Sequence, residues 1–233
     1  MTQAQGFPNG DLLWTPEQLK ARLDDEKLAL LDVRTTAEVM GGIIPGAQHL
    51  DVYGVGLTHT RGDVFGEFIN LMRSLLAMRG AGNDATVVLY EQNSGMKAAR
   101  IFWLLEYMGH TDVHVLDGGM RAWQAAGYET VTEMRKAHGR SLKVNPRPDL
   151  FIGADELNTR LGEADLQPLD TRSDEEWLGT NTRGGPRGGT IPGAVHLEWV
   201  NYLDEQGKFK PAAELAELFE RNGVTRDKAI VPF

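Results

Sequence analysis

Leu31-Asp32-Val33-Arg34 and Leu169-Asp170-Thr171-Arg172 are two copies of one motif, 138 residues apart. A second motif follows each of them: the nonapeptide GIIPGAQHL, which starts at Gly42, recurs as GTIPGAVHL, which starts at Gly189. The second pair is 147 residues apart, so the later copy carries nine extra residues between its motifs. Motifs that recur in one order at nearly constant spacing predict a tandem repeat of one domain.

Each copy has the pattern of an α/β domain. The stretch from Gly80 to Tyr90 matches that from Gly223 to Phe233, and both end in an apolar run typical of a buried strand. Thr15-Pro16-Glu17-Gln18 combines a capping threonine, a proline at the first helical position and a capping-box glutamine, which predicts a helix start.

Short apolar strands alternate with amphipathic helices along the first copy. The predicted strands are 28–33, 49–52, 86–90 and 113–116, and the predicted helices are 67–78, 96–108 and a third from Gly118-Gly119 through Trp123. In the second copy a strand is expected at 228–233. This alternation predicts the α/β class, with two tandem domains that are each a mainly parallel sheet flanked by helices.

Two domains joined by a basic segment follow from the repeat. We expect the first domain at residues 1–132, a linker at 133–150 and the second domain at 151–233. The basic residues of the linker are Arg135, Lys136, Arg140, Lys143 and Arg147. We interpret this segment as a solvated linker, and the alternative is a basic strap beside an anion-binding cleft.

The second domain is expected to be incomplete, because its last residue matches the middle of the first domain. The first copy continues from Glu91 through a loop, a helix, a strand and another helix to about Tyr128, whereas the second stops at Phe233, the counterpart of Tyr90. A sheet cut there would lose one covering helix. The repeat therefore predicts that about 40 residues of this domain follow Phe233.

These motifs, followed by Leu116-Asp117-Gly118-Gly119 and then Trp123, resemble the rhodanese domain. Two copies resemble the tandem-domain sulfurtransferases that use thiosulfate or 3-mercaptopyruvate, and the resemblance covers about residues 12–233. It implies a cysteine on the loop between the central strand and a helix. The thiolate would accept sulfane sulfur, form a persulfide and pass the sulfur to an acceptor such as cyanide or a thiol.

The resemblance assigns different roles to the two loops. Glu91 stands where the nucleophile of the first copy would be, and a carboxylate there cannot carry sulfur, although it could fill the ring of loop amides as a fixed anion. In the second copy the nucleophile is expected directly after Phe233. The 233 residues contain no cysteine, so no catalytic residue is assigned within them.

Two other functions stay open at this point. A rhodanese-like protein that lacks the nucleophile could act as a binding or regulatory module. A phosphatase relative would have a loop one residue longer, Cys-x5-Arg, and only the loop after Phe233 could distinguish it. The degenerate first copy favours sulfur transfer over phosphate chemistry.

The insertion between Glu176 and Gly189 is the candidate donor site, with Arg183 and Arg187 as substrate-binding residues. Related tandem enzymes place basic residues here, and an arginine fork suits carboxylate and sulfonate equally. Mercaptopyruvate-type enzymes commonly have an arginine six or seven residues beyond the motif aspartate. The chain has Glu176 and Trp177 there, which weakens the mercaptopyruvate interpretation.

The motif residues Asp32, Arg34, Asp170 and Arg172 are expected to support the loops rather than to act as acids or bases. The aspartates end strands at the edge of the sheet where α/β sites form, and the arginines are expected to pair with nearby carboxylates.

Composition limits the remaining classes of function. The chain has 24 basic and 33 acidic residues, for a net charge of −9, which argues against a nucleic-acid partner. We expect no membrane span, secretory signal, metal or cofactor, and hence a cytoplasmic protein. The expected partners are a small anionic sulfur donor, a thiol or cyanide acceptor and the rest of the second domain.

Overall fold

The computed structural model describes residues 6–233, which divide into two units. The first unit ends at Phe151 and also includes Glu205–Phe209, and the second consists of Ile152–Asp204 and Lys210–Phe233. Each unit contains one sheet, and every strand pair is parallel. The predicted α/β class, with mainly parallel sheets flanked by helices, is confirmed.

The first unit is built on a five-stranded sheet in the order β1-β5-β4-β2-β3. Its strands are β1 (Leu13–Trp14), β2 (Leu28–Asp32), β3 (Gln48–His49), β4 (Thr86–Tyr90) and β5 (Val113–Leu116). In its centre, β2 and β4 pair along their whole length, and Asp32 lies beside Tyr90 at the carboxyl end. The loops that follow β2 and β4 therefore leave the same edge of the sheet.

Helices cover both faces of this sheet. They are α1 (Pro16–Lys20), α2 (Thr36–Val39), α3 (Gly62–Met78), α4 (Met96–Tyr107) and α5 (Gly119–Ala125). Alternate residues of β2 enter different cores: Leu31 packs with α3 and α4, whereas Leu30 packs with α1 and α5. The period of two explains why the central strands are apolar along their whole length.

The second unit has a three-stranded sheet in the order β7-β6-β8. Its elements are α6 (Ala154–Arg160), β6 (Leu166–Asp170), α7 (Asp174–Trp177), β7 (Val195–His196), α8 (Ala212–Arg221) and β8 (Ala229–Pro232). Every residue of β4 is buried, whereas no residue of β8 is fully buried. The difference arises because β4 lies between β5 and β2, whereas β8 has one neighbour, β6.

Several local predictions can be compared with the structure. The capping box is confirmed: the Gln18 amide donates to the Thr15 hydroxyl, and the Thr15 amide donates to the Gln18 side chain. The strand predicted at 49–52 is wrong, because β3 is Gln48–His49. The Arg100 guanidinium donates to the carbonyls of Val52, Tyr53 and Val55, which holds that backbone outside the sheet.

Residues 133–150, called the strap below, are bonded along the first unit. The Arg140 amide donates to the carbonyl of Ala77 (2.9 Å), and the Lys143 amide donates to Asn83 Oδ1 (2.6 Å). Leu142 is buried in the core that contains α3 and α4. The basic side chains, in contrast, are exposed or half-buried. The segment is thus a solvated ribbon with an ordered backbone.

Candidate active site

The aspartate–arginine motif forms the same structure at the end of β2 and of β6. Arg34 donates from Nη2 to Asp32 Oδ2 (2.6 Å) and to the Gly42 carbonyl (2.7 Å). Arg172 does the same with Asp170 Oδ2 (2.5 Å) and the Gly189 carbonyl (2.9 Å). Each arginine therefore ties the strand end to the loop that carries the second repeated motif. We retain loop support as the proposed role of all four side chains.

Burial makes the first of these ion pairs the more constrained. The Asp32 and Arg34 side chains are 0% and 4% exposed, whereas Arg172 is 32% exposed. Burial alone would lower the pKa of the Arg34 guanidinium, but its hydrogen bond to Asp32 and the charge of that carboxylate raise it. At Asp170, burial opposes ionisation, and hydrogen bonds from Arg172 and Thr190 nevertheless lower the pKa of the carboxyl.

A hydroxyl reaches the buried carboxylate in both copies, but from different elements. In the first copy the Tyr90 side chain is bonded to Asp32, and its hydroxyl oxygen accepts from the Ile44 amide (3.1 Å). Burial, the charge of Asp32 and the hydrogen bond to Asp32 raise the pKa of Tyr90 well above its ordinary value, although the hydrogen bond from the Ile44 amide opposes the rise. In the second copy the counterpart of Tyr90 has no hydroxyl, and Thr190 donates to Asp170 Oδ2 instead (2.7 Å).

Glu91 directly follows β4, and its carboxylate lies at the amino end of α4. Glu91 Oε1 accepts from the Ala98 amide (2.8 Å), and the Lys97 amide is a further donor. A Cβ at Gly95 would lie 2.9 Å from the Glu91 carboxylate, so a larger residue there would displace the end of the Glu91 side chain. The carboxylate thus occupies the site where helix amides favour an anion.

The Glu91 carboxylate is partly shielded from solvent. Burial raises the pKa of the Glu91 carboxyl above its ordinary value of 4.5, although the amides of Ala98 and Lys97 and the Lys97 charge oppose the rise. The Lys97 ammonium lies 3.9 Å from the Glu38 carboxylate, so its charge is shared between two acids. Chemically, Glu91 can accept hydrogen bonds and a proton, and it cannot carry sulfur.

The loop that begins at Glu91 is fixed by residues that sequence reasoning missed. Ser94 is fully buried, donates to Asp117 Oδ1 (2.8 Å) and accepts from the Gly118 amide (2.8 Å). The carbonyl of Glu91 accepts from the Met120 amide at the start of α5 (2.8 Å). Asp117 directly follows a buried strand and Asp32 ends one, and that similar position was the available signal.

Residues Glu205–Phe209 complete this loop in the first unit. The Ser94 amide donates to the Gly207 carbonyl (2.8 Å), and the Phe209 amide donates to Asp117 Oδ1 (3.0 Å). Gly207 has φ of +75°, and a Cβ there would meet Asn93 Oδ1 at 2.5 Å. The segment lies so far along the chain from residues 91–95 that the repeat gave no signal for the contact.

The end of β8 repeats the geometry of the end of β4. The Val33 amide donates to the Tyr90 carbonyl, and the Thr171 amide donates to the Phe233 carbonyl, each at 3.0 Å. The guanidinium of Arg34 lies 5.7 Å from the centre of the Tyr90 ring, and that of Arg172 lies 5.4 Å from the Phe233 ring. Phe233 is therefore the structural counterpart of Tyr90.

The two arginines of the insertion have different surroundings. Arg183 is paired with Glu176 (Nε to Oε2, 3.2 Å) and has an unusual positive φ of 49°. Arg187 is exposed, and no ion pair of its side chain is found among residues 6–233. Gly188 packs against the backbone of Gly179, which closes the insertion at its base. No hydrogen bond joins Arg183 to Arg187 in the described part of the chain.

Within residues 6–233, no cluster of three or more histidine or carboxylate side chains could hold a metal ion. The helices of that range also include none with both the length and the apolar character needed to span a membrane.

Comparison with known proteins gives consistent matches. The family model described as Rhodanese-like domain matches residues 15–126. A thiosulfate sulfurtransferase of Pseudomonas aeruginosa is 30% identical over 233 residues, covering 97% of this chain and 83% of that protein. A probable 3-mercaptopyruvate sulfurtransferase of the same organism is 32% identical over 220 residues, covering 89% and 78%.

A solved structure supports the fold independently. The crystal structure of SseA from Escherichia coli, described as a 3-mercaptopyruvate sulfotransferase with the rhodanese fold, superimposes with a TM-score of 0.77. The superposition covers 95% of this chain and 87% of SseA at 22% sequence identity.

Proposed function

This chain belongs to the rhodanese-like sulfurtransferase family, and on that premise we propose that it moves sulfane sulfur from thiosulfate or 3-mercaptopyruvate to a thiophilic acceptor. The carrier is a cysteine persulfide, and the cysteine directly follows Phe233 in the full-length protein. The acceptor is cyanide or a thiol. The first unit carries no sulfur, because Glu91 occupies its nucleophile position.

The transfer takes place in two balanced steps. The cysteine thiolate attacks the outer sulfur of thiosulfate, an S–S bond forms to the cysteine, and sulfite leaves with the electron pair of the broken S–S bond. Cyanide then attacks the outer sulfur of the persulfide, thiocyanate leaves, and the thiolate is restored. Splitting the transfer through a covalent intermediate is nucleophilic catalysis, and neither step needs an external oxidant or reductant.

The position of Phe233 is the observation that carries this proposal. The Phe233 carbonyl accepts a hydrogen bond from the Thr171 amide (3.0 Å). The Tyr90 carbonyl accepts the equivalent bond from the Val33 amide at the same distance. The residue after Phe233 is then the counterpart of Glu91, whose side chain is held by the amides at the start of α4. A thiolate at an equivalent place would be stabilised by amides and by the helix dipole, which lowers its pKa and steadies the persulfide anion.

The insertion loop supplies the proposed contact with the anionic donor. Arg187 is exposed and has no carboxylate partner among the described residues, whereas Arg183 is already paired with Glu176. Arg187→Gln is therefore expected to raise KM for thiosulfate by about tenfold with little change in kcat, and Arg183→Gln is expected to raise it less. Steady-state thiocyanate formation measures both, and equal KM values for both variants and the wild type would remove the loop from the donor site.

The central experiment is mass spectrometry of the full-length protein. We expect one alkylatable thiol in the peptide that follows Phe233, a gain of one sulfur atom on incubation with thiosulfate, and loss of that sulfur as thiocyanate on addition of cyanide. Prior alkylation of the thiol is expected to abolish all three effects. A serine, aspartate or glutamate after Phe233 would overturn the proposal.

A non-catalytic binding or regulatory module is the second candidate, and the absence of cysteine from the 233 residues favours it. The same experiment separates the two functions. Thiocyanate formation that is sensitive to alkylation supports the enzyme, and a thiol-free full-length protein supports the module.

A further inference from the structure

A pocket of about 290 Å³ lies in the first unit at the edge of the sheet opposite to Glu91. Its walls are the amino ends of β2 and β3, the residues that follow α3, and the strap. The Glu91 loop leaves the carboxyl ends of the parallel strands, so the pocket and that loop are at opposite edges. The acidic, arginine and lysine residues that line the pocket are Glu26, Arg79, Arg135, Lys136 and Arg140.

Positive charge is concentrated in this pocket although the chain as a whole has a net charge of −9. Four of its lining residues are arginine or lysine, and Glu26 is the one carboxylate among the described residues that line it. Arg140 is paired with Asp84 (2.9 Å). No ion pair of Arg79, Arg135 or Lys136 is found among residues 6–233.

Hydrogen bonds on both sides of the pocket hold the guanidinium groups of Arg79 and Arg140 and the backbone of the strap. Arg79 is half-buried and donates from Nε to the His49 carbonyl (2.9 Å), which leaves the two Nη groups as further donors. The Gln48 side chain donates to the Arg135 carbonyl, and Arg140 Nη2 donates to the Glu26 carbonyl (2.6 Å). The strap is thus fastened at Arg135 and at Arg140, and it crosses the pocket between these points.

A close approach of the backbone fixes the strap further. Gly80 has φ of +90°, and a Cβ at this position would lie 3.3 Å from the His138 carbonyl oxygen. Because the guanidinium groups of Arg79 and Arg140 are held by hydrogen bonds, a ligand would meet two cations that are already positioned, and less entropy would be lost on binding than with free side chains.

We propose that this pocket binds a small oxyanion with two or more negative charges, such as the phosphate group of an organic phosphate. Arginine forks match the oxygens of such a group, and a half-buried guanidinium without a carboxylate partner gains most from an anion. Residues 28–30, at the amino end of β2, line the pocket on the side of the sheet. The volume suits a small molecule, and the site is independent of the sulfur-transfer proposal.

Titration calorimetry of the full-length protein with inorganic pyrophosphate tests the proposal. The double variant Arg135→Glu/Lys136→Glu is expected to bind at least about tenfold more weakly than the wild type. The matched control Lys20→Glu/Arg121→Glu reverses two exposed cations of α1 and α5 outside the pocket, and its affinity should stay within about twofold of the wild type. Equal weakening in the control and the double variant would assign binding to overall charge and overturn the site.

A variant that binds pyrophosphate more tightly than the wild type guards against folding defects, because a misfolded protein would lose affinity and not gain it. Glu26→Gln removes the carboxylate from the pocket and is expected to tighten pyrophosphate binding by about threefold. Glycerol phosphate in place of pyrophosphate distinguishes an organic phosphate from an inorganic one, since tighter binding per charge indicates that the pocket also contacts the organic part. No binding of either compound to the wild type at millimolar concentration, or no effect of Glu26→Gln, would refute the proposal.

Discussion

At the end of β2, the carboxylate of Asp32 receives its hydroxyl contact from Tyr90 on a neighbouring strand, whereas at the end of β6 Asp170 receives it from Thr190 in the loop. The loop position that carries Thr190 is the buried Ile43 in the first copy, and the strand position that carries Tyr90 is Phe233 in the second. A buried carboxylate needs more than one donor to offset its desolvation. The comparison teaches that the duplicated domain preserves this requirement and not the residue that meets it.

The two ion pairs also differ in burial, and the largest expected effect follows from that difference. Arg34→Met leaves the fully buried Asp32 without its cation, which should destabilise the first unit by about 3 kcal/mol. Arg172→Met should cost the second unit about 1 kcal/mol, because Arg172 is 32% exposed and water can reach the site.

Hydrogen exchange, measured separately on peptides of each unit during urea unfolding, checks this difference. The double variant Asp32→Asn/Arg34→Met serves as the control, since removal of both charges should cost less than removal of Arg34 alone. Equal losses at the two arginines would show that burial does not distinguish the copies.

The second prediction concerns the hydroxyls that reach the buried carboxylates, that of Tyr90 in the first copy and that of Thr190 in the second. Tyr90→Phe should destabilise the first unit by about 2 kcal/mol, because Asp32 loses a donor and the buried Ile44 amide loses its acceptor. Adding Ile43→Thr transplants the arrangement of the second copy and should recover part of that loss. Thermal unfolding followed by near-ultraviolet circular dichroism measures both variants, and a double variant no better than Tyr90→Phe would mean that the loop cannot replace the strand.

The third prediction concerns the loop that follows β4. Ser94→Ala removes a donor to Asp117 and an acceptor for the Gly118 amide, and should cost about 1 kcal/mol. Faster hydrogen exchange is expected both in residues 91–95 and in Glu205–Phe209, because the Gly207 carbonyl is bonded to the Ser94 amide. Unchanged exchange in Glu205–Phe209 would show that the segment is held independently of the Ser94 side chain.

These sites also show how far sequence reasoning extends. The central strands and the capping box were predictable because a period of two and a cap motif are local signals. The repeat located the aspartate–arginine motifs and the position of Glu91. The contact of Gly207 with Ser94 was not predictable, because it joins distant parts of the chain without a repeated motif. The same holds for the bonds of Arg100 to a loop backbone, which shortened the expected strand.

The smallest expected effect on stability comes from the charge of the Glu91 side chain, in the loop that follows β4. Burial raises the pKa of the Glu91 carboxyl, so between 4.5 and that raised value the folded state binds more protons than the unfolded state. The contribution of Glu91 to stability must therefore fall as the pH rises through this window. Glu91→Gln removes the titration and keeps an oxygen that can accept from the Ala98 amide.

The variant should accordingly be as stable as the wild type near pH 4 and slightly more stable near pH 7, by less than any of the four losses predicted above. The difference between the two proteins is the quantity to measure, since other carboxyls, such as Asp170 with its lowered pKa, act in the opposite direction in both. Urea unfolding across this pH range supplies it. A wild type that gains on Glu91→Gln as the pH rises would show instead that the amides at the start of α4 outweigh the burial of the Glu91 carboxylate.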